Sequence, residues 1–183
     1  ILWRDRDAGV RAAAAIRLSR VKAGAASSPT ATVSAPSEVA AWLSDALGDV
    51  APMVREAALR GLARLAPRLP VLARAEYGKA VGLISSSDAT WWVRRAALLA
   101  HAALLSLQAE RSLPLLRMRL GDPFWRVRHA AAQALYVIGL RQPELREAIL
   151  AANTDLPGAA QAGLWYPRSR FQPGIQVHAF AVP

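Results

Sequence analysis

Hydrophobic and polar positions return along this chain in one fixed order. An Asp is followed five residues later by Val-Arg, then by small residues at three and four positions past the Val. The copies are Asp5…Val10-Arg11, Asp49…Val54-Arg55, Asp88…Val93-Arg94 and Asp122…Val127-Arg128. The small pairs are Ala13/Ala14, Ala57/Ala58, Ala96/Ala97 and Ala130/Ala131, and a larger apolar residue falls eight past the Val at Leu18, Leu62 and Leu135. Offsets of 0, 3–4 and 8 lie on one face of a helix, so each copy predicts a helix with a narrow apolar stripe. Ala at the middle offsets lets a neighbouring helix approach closely.

A second kind of helix precedes the later copies. Residues 37–47 predict one, with Pro36 before it and Ser37 as N-cap. Others are expected from about 69 to 84 and from about 110 to 120, where Pro114 shifts the start or kinks the helix. Pro143–Ala152 reads as the first half of a fifth unit. Gly48-Asp49, Ser85–Asp88 and Gly121-Asp122-Pro123 are the turns. The Val-Arg copies are spaced 44, 39 and 34 residues apart. The excess in the first interval is AGAASSPTATVSAP, residues 23–36, whose composition predicts a loop or linker. Residues 153–183 leave the pattern, carry four Pro and predict an extended C-terminal arm.

The polar positions repeat as faithfully as the apolar ones. Each Asp opens a motif helix, where its carboxylate is expected to cap free N–H groups. Each Arg can reach the Asp of an adjacent unit. Asp5, Arg11, Asp49, Arg55, Asp88, Arg94, Asp122 and Arg128 thus predict a ladder of ion pairs. This Asp…Val-Arg…Ala-Ala…Leu pattern resembles the HEAT repeat, in particular the short HEAT-like form of phycobilin lyases and bacterial scaffold proteins. The resemblance covers roughly residues 5–152. The fold expected is an all-α, right-handed solenoid of about four helix pairs over residues 1–152, followed by the non-helical arm.

Composition changes this picture in three respects. The formal charge is +10, nearly all of it from Arg, and it is spread through the chain. A basic balance favours acidic partners or nucleic acid. There is no Cys, which excludes disulfides and thiolate metal sites and suits a reducing compartment such as the cytoplasm. No apolar run approaches the roughly 20 residues needed to span a bilayer. The chain opens at Ile1 rather than Met, as a processed chain or a piece of a larger one would.

Candidate catalytic chemistry is sparse. The sequence has no His-x3-His pair, Gly-rich phosphate loop or nucleophile elbow, and no cofactor is implied. Of three His residues, His101 takes the place that Leu holds in the other copies. It is either a buried switch or ligand, or a core His bonded to a carbonyl. His129 is expected on the solvated side.

The aromatic residues say more. Trp91 and Trp125 share one repeat offset, two before the Val, and Trp92 and Phe124 flank them. Stacked units would set these rings in a row along one rim beside Arg94, Arg95, Arg126 and Arg128. Such a row is either a recognition stripe or a cover for the edge of the core. In the arm, Trp165, Tyr166, Arg168, Arg170 and Phe171 interleave rings and cations. They either dock on another chain or fold back on the last helix pair. The expected function is a non-catalytic interaction scaffold, an accessory subunit that binds a protein partner through its inner groove or its arm. The alternative is a nucleic-acid-binding module that uses the basic and aromatic face. A lyase-like enzyme or enzyme accessory domain is the third class.

Overall fold

The computed structural model describes residues 5–20 and 35–149, and every regular element among them is helical. The elements are α1 (Ala8–Ser19), α2 (Pro36–Asp45), α3 (Pro52–Leu65), α4 (Val71–Ser87), α5 (Trp91–Leu104), α6 (Leu113–Arg119) and α7 (Trp125–Arg141). The four motif copies form α1, α3, α5 and α7, and each motif Val is the third residue of its helix. These helices pack side by side in chain order, α1 on α3, α3 on α5 and α5 on α7. The flanking helices α2, α4 and α6 cover them as a second layer, each against the motif helix that follows it.

The apolar offsets explain this packing. Val54, Val93 and Val127 are completely buried, as are Ala58, Ala97 and Ala131. Two core clusters meet at α5: Val93, Ala96 and Ala100 face one, and Leu98 faces the other. Each helix pair therefore completes the core of its neighbour. At Gly61 the approach is closest, because a Cβ there would lie 2.8 Å from Leu43 Cδ1.

The first copy departs from the expected face. Val10 and Ala13 are exposed and Leu18 is half-buried, while Ala12, Ala14 and Ala15 carry the burial. Among the motif helices α1 packs on α3, and among the described residues no motif helix precedes it to cover the face that its siblings give to a preceding helix.

Helix starts also differ from expectation. The N-cap residues are Asp7, Ala51, Thr90 and Phe124, two positions after each motif Asp. The motif carboxylate accepts the N–H of that N-cap residue, at 2.8 Å for Asp7, Ala51 and Thr90 and 2.9 Å for Phe124. Only α1 has a side-chain N-cap, with Asp7 Oδ1 accepting from Gly9 and Val10 at 2.6 and 3.1 Å.

Ser37 is not an N-cap. Pro36 is the first residue of α2, where its missing N–H costs no hydrogen bond, and so it is not part of the linker. The helix expected from 69 begins after Pro70 and runs on to Ser87. Ser85 and Ser87 return their hydroxyls to the carbonyls of Gly82 and Leu83, at 2.7 and 2.9 Å. Before α6, Ala109–Ser112 forms a 3-10 turn, and Pro114 sits second in the helix without kinking it. Pro143–Leu145 is a 3-10 turn rather than the start of an α-helix, and residues 146–149 are helical. Most of the expected linker lies outside the described residues. So does the whole arm, with Trp165, Tyr166, Arg168, Arg170 and Phe171.

Candidate interaction face

The ladder forms as the spacing predicts, over three rungs. Arg11 Nε donates to Asp49 at 2.7 Å, Arg55 Nε to Asp88 at 2.7 Å and Arg94 Nε to Asp122 at 2.9 Å. In each, Nη2 donates to the second carboxylate oxygen, so the pairs are bidentate. The remaining nitrogen, Nη1, donates to the carbonyls of the Arg's own turn, Asp5 and Arg6, Asp49 and Val50, or Asp88 and Ala89. Each Arg thus ties its own turn to the next.

The Arg11 guanidinium holds the Asp49 carboxyl below the usual carboxylate range. At Asp88 and Asp122 burial pushes upward. The Arg55 or Arg94 contact and the N–H of Thr90 or Phe124 together outweigh it, so both titrate low. Arg11 and Arg94 are raised in turn by their bonds to Asp49 and Asp122. Sequence reasoning missed Arg119, which lies 3.7 Å from Asp122 as a second cation. It also missed Arg117, which donates to the Ala148 carbonyl and ties the residues after α7 to α6.

The aromatic row is real, but its two indoles do not meet. Trp91 stacks on Phe124, with centroids 4.5 Å apart and planes at 10°, and meets Trp92 edge-on at 5.7 Å. The Arg126 guanidinium lies 5.0 Å from the Trp91 ring and 5.1 Å from the Trp125 ring, bridging the two. Trp91 is thereby half-buried, whereas Trp92 and Trp125 remain exposed. Arg94 and Arg128 belong to the turns rather than to this row.

A stripe of exposed positions, with Arg95 half-buried among them, runs down the motif helices on the side away from the core. It holds Met53, Arg60 and Arg64 on α3, Trp92, Arg95 and Leu99 on α5, and Arg126, His129 and Val137 on α7. These recur one before the Val and two, six and ten after it, which is again one helical face. Glu56 is the single carboxylate at these offsets on the three helices, and Arg60 pairs with it at 2.8 Å. Among the described residues no carboxylate pairs with Arg64, Arg95 or Arg126.

His101 is a core residue. Its Nδ1–H donates to the Gly78 carbonyl at 2.9 Å, and its Nε2 is buried without a partner. Burial lowers its pKa, with the Gly78 bond acting in the opposite sense, so the ring is held neutral. Glycine makes the room, since a Cβ on Gly82 would lie 3.4 Å from the ring. His129 is exposed, as expected. Among the described residues no cluster of His, Cys, Asp or Glu could hold a metal, and no helix is long and apolar enough to cross a membrane.

Stacked helix pairs joined by a recurring ion-pair ladder define the class of helical-repeat proteins. A family model described as HEAT repeats matches residues 80–164, which span the C-terminal end of α4 and all of α5, α6 and α7. Residues 80–164 are thus similar to HEAT repeats. The narrower likeness to phycobilin lyases gains no support from this match. No curated protein matches the chain.

Proposed function

We propose that the chain is a non-catalytic interaction subunit, a right-handed HEAT-like scaffold that holds an acidic, amphipathic segment of a protein partner in its inner groove. The observation that carries this reading is the stripe on α3, α5 and α7. Arg64, Arg95 and Arg126, which pair with no carboxylate among the described residues, alternate there with exposed apolar side chains, Met53, Trp92, Leu99 and Val137. HEAT repeats are in general protein-interaction modules, and an acidic segment complements both the stripe and the net charge of +10. The arm, with Trp165, Tyr166, Arg168, Arg170 and Phe171, is the second contact in this reading.

Nucleic acid is the competing ligand, since exposed indoles and guanidinium groups suit bases and phosphates. Leu99 and Val137 favour protein, because aliphatic side chains offer phosphates nothing. The test is anisotropy of a labelled amphipathic peptide of Glu and Leu, titrated with wild type and with a Trp92→Ala, Arg95→Glu double variant. We expect the variant to lose about tenfold or more in affinity, as a central aromatic-cation anchor does, with unchanged melting. Equal binding by the two proteins contradicts the assignment of this face.

A further inference from the structure

The indole row of α5 and α7 is interrupted by a cation. Trp91 and Trp125 hold the same offset in adjacent units, and the Arg126 guanidinium lies against both, 5.0 Å from the first ring and 5.1 Å from the second. Both distances are inside the roughly 6 Å range of cation–π attraction. Trp91 is held in its turn, stacked on Phe124 and met edge-on by Trp92. At the offsets of Trp125 and Arg126, α3 has Pro52 and Met53 and α1 has Ala8 and Gly9. Among the motif helices the group therefore forms where α5 meets α7.

We infer, resting on the functional reading above, that Arg126 is the residue by which the face selects a carboxylate. It takes one Asp or Glu side chain of the partner segment bidentately, with Trp125 as its positioning residue. Ring contacts engage the charge of a guanidinium and leave its N–H groups for an acceptor. Among the described residues no carboxylate supplies one. The ladder shows what the guanidinium groups of this chain accept. Arg11, Arg55 and Arg94 each bind both oxygens of one carboxylate through Nε and Nη2. Those three are half-buried and occupied, whereas Arg126 offers the same fork at an exposed position.

An exposed Arg ordinarily loses side-chain freedom when it binds, which subtracts from affinity. Here two indoles restrain it beforehand. Trp125 is 58% exposed, so its contact with Arg126 accounts for its place in the group better than core packing does. Trp92 is exposed as well and touches Trp91, so an apolar side chain of the same segment can meet it while the carboxylate reaches Arg126. A partner with a carboxylate close to an apolar side chain satisfies both. Phosphate also fits a guanidinium fork, but the apolar neighbours Trp92 and Leu99 on the stripe favour a side-chain carboxylate.

The test uses the full chain, the labelled Glu and Leu peptide, and a set of peptides in which each Glu in turn is replaced by Gln. Arg126→Gln should weaken binding of the parent peptide about tenfold. Arg126→Lys should weaken it nearly as much, because an ammonium keeps the charge but not the fork. One Gln peptide should lose about tenfold against wild type and nothing further against Arg126→Gln. Trp125→Phe, which keeps a ring face, should bind close to wild type, whereas Trp125→Leu, apolar without a ring face, should not. All these variants should melt as wild type does, since both residues are exposed. Arg126→Lys that binds like wild type, Gln peptides that all lose equally, or losses that add between peptide and Arg126→Gln overturn the inference. If only the Trp92→Ala, Arg95→Glu double variant loses the peptide, the interaction face stands and Arg126 does not select its carboxylate. A wild type that binds no peptide overturns both readings. So does an oligonucleotide whose affinity, unlike that of the peptide, falls with Arg126→Gln.

Discussion

Asp122 shows what one residue does in this fold. Its carboxylate is almost fully buried, accepts two bonds from Arg94 and one from the Phe124 N–H, and has Arg119 nearby. Arg94→Ala leaves that carboxylate with the Phe124 bond and the more distant cation. The expected cost is about 1–3 kcal/mol, well below the ideal for a fully enclosed pair because the Arg side is partly solvated. At about 2–4 °C per kcal/mol for a chain of this size, the melting temperature should fall measurably. The sign with pH follows from the lowered pKa of Asp122. A carboxylate depressed on folding contributes stability above its unfolded pKa of about 4, and that contribution is lost as pH falls through the folded value. The gap between wild type and Arg94→Ala should therefore be full at neutral pH and close in acid, as followed by thermal melts across the range. A gap that persists unchanged below pH 3 contradicts a rung held by charge. This much was legible beforehand, because ion pairs between adjacent units need only a constant offset, and Asp and Arg kept theirs in every copy. The capping role of the same Asp was misplaced by two residues. An Asp at a turn can serve the N-cap residue's own N–H as readily as the N–H groups of the first turn, and spacing does not separate the two.

Elements are set by small residues rather than large ones. Ala58, Ala97 and Ala131 allow motif helices to sit close, and Gly61 brings α3 against Leu43 of α2. Gly61→Ala tests how tight that contact is. Helix propensity favours Ala by about 1 kcal/mol, whereas overpacking costs about 1–3 kcal/mol. Leu43 is completely buried, so moving its methyl groups disturbs a packed core; overpacking should win and chemical denaturation should show a less stable protein. Gly48, with nothing within 4 Å of its Cβ position, is the control that should tolerate Ala. A Gly61→Ala protein at least as stable as wild type would mean that the helices can slide. The motif helices were legible from their period, but the ends of the flanking helices were not. Pro36 continues the linker composition yet opens α2, and the serines after Ile84 have the composition of a turn yet extend α4. Proline is compatible with both a loop and a helix start. Serine hydroxyls that bond back to the preceding turn let a helix run on where composition suggests a break. His101 looked like an exception to the Leu series, and the glycines facing it on α4 could be recognised as its compensation only once the two helices were side by side.

At the scale of the whole molecule, the net charge of +10 says only that something acidic is favoured, because long-range attraction does not distinguish a peptide from an oligonucleotide. The packing sorts the cations instead. Arg11, Arg55 and Arg94 are used up in rungs, Arg126 is held between indoles, and Arg64 and Arg95 are left on the stripe with Met53, Trp92 and Leu99. Beyond the ladder itself this sorting was not legible in the chain, since exposed and half-buried members of the aromatic row are neighbours. Binding that draws on apolar side chains should survive salt, whereas binding through phosphates weakens steeply as counterions compete. The most direct measurement is therefore the affinity of the full chain, from low to physiological salt, for two probes of equal negative charge. One is the amphipathic Glu and Leu peptide and the other a single-stranded oligonucleotide. The account predicts that the peptide remains bound at physiological salt while the oligonucleotide is released. An oligonucleotide that stays bound while the peptide dissociates would contradict it.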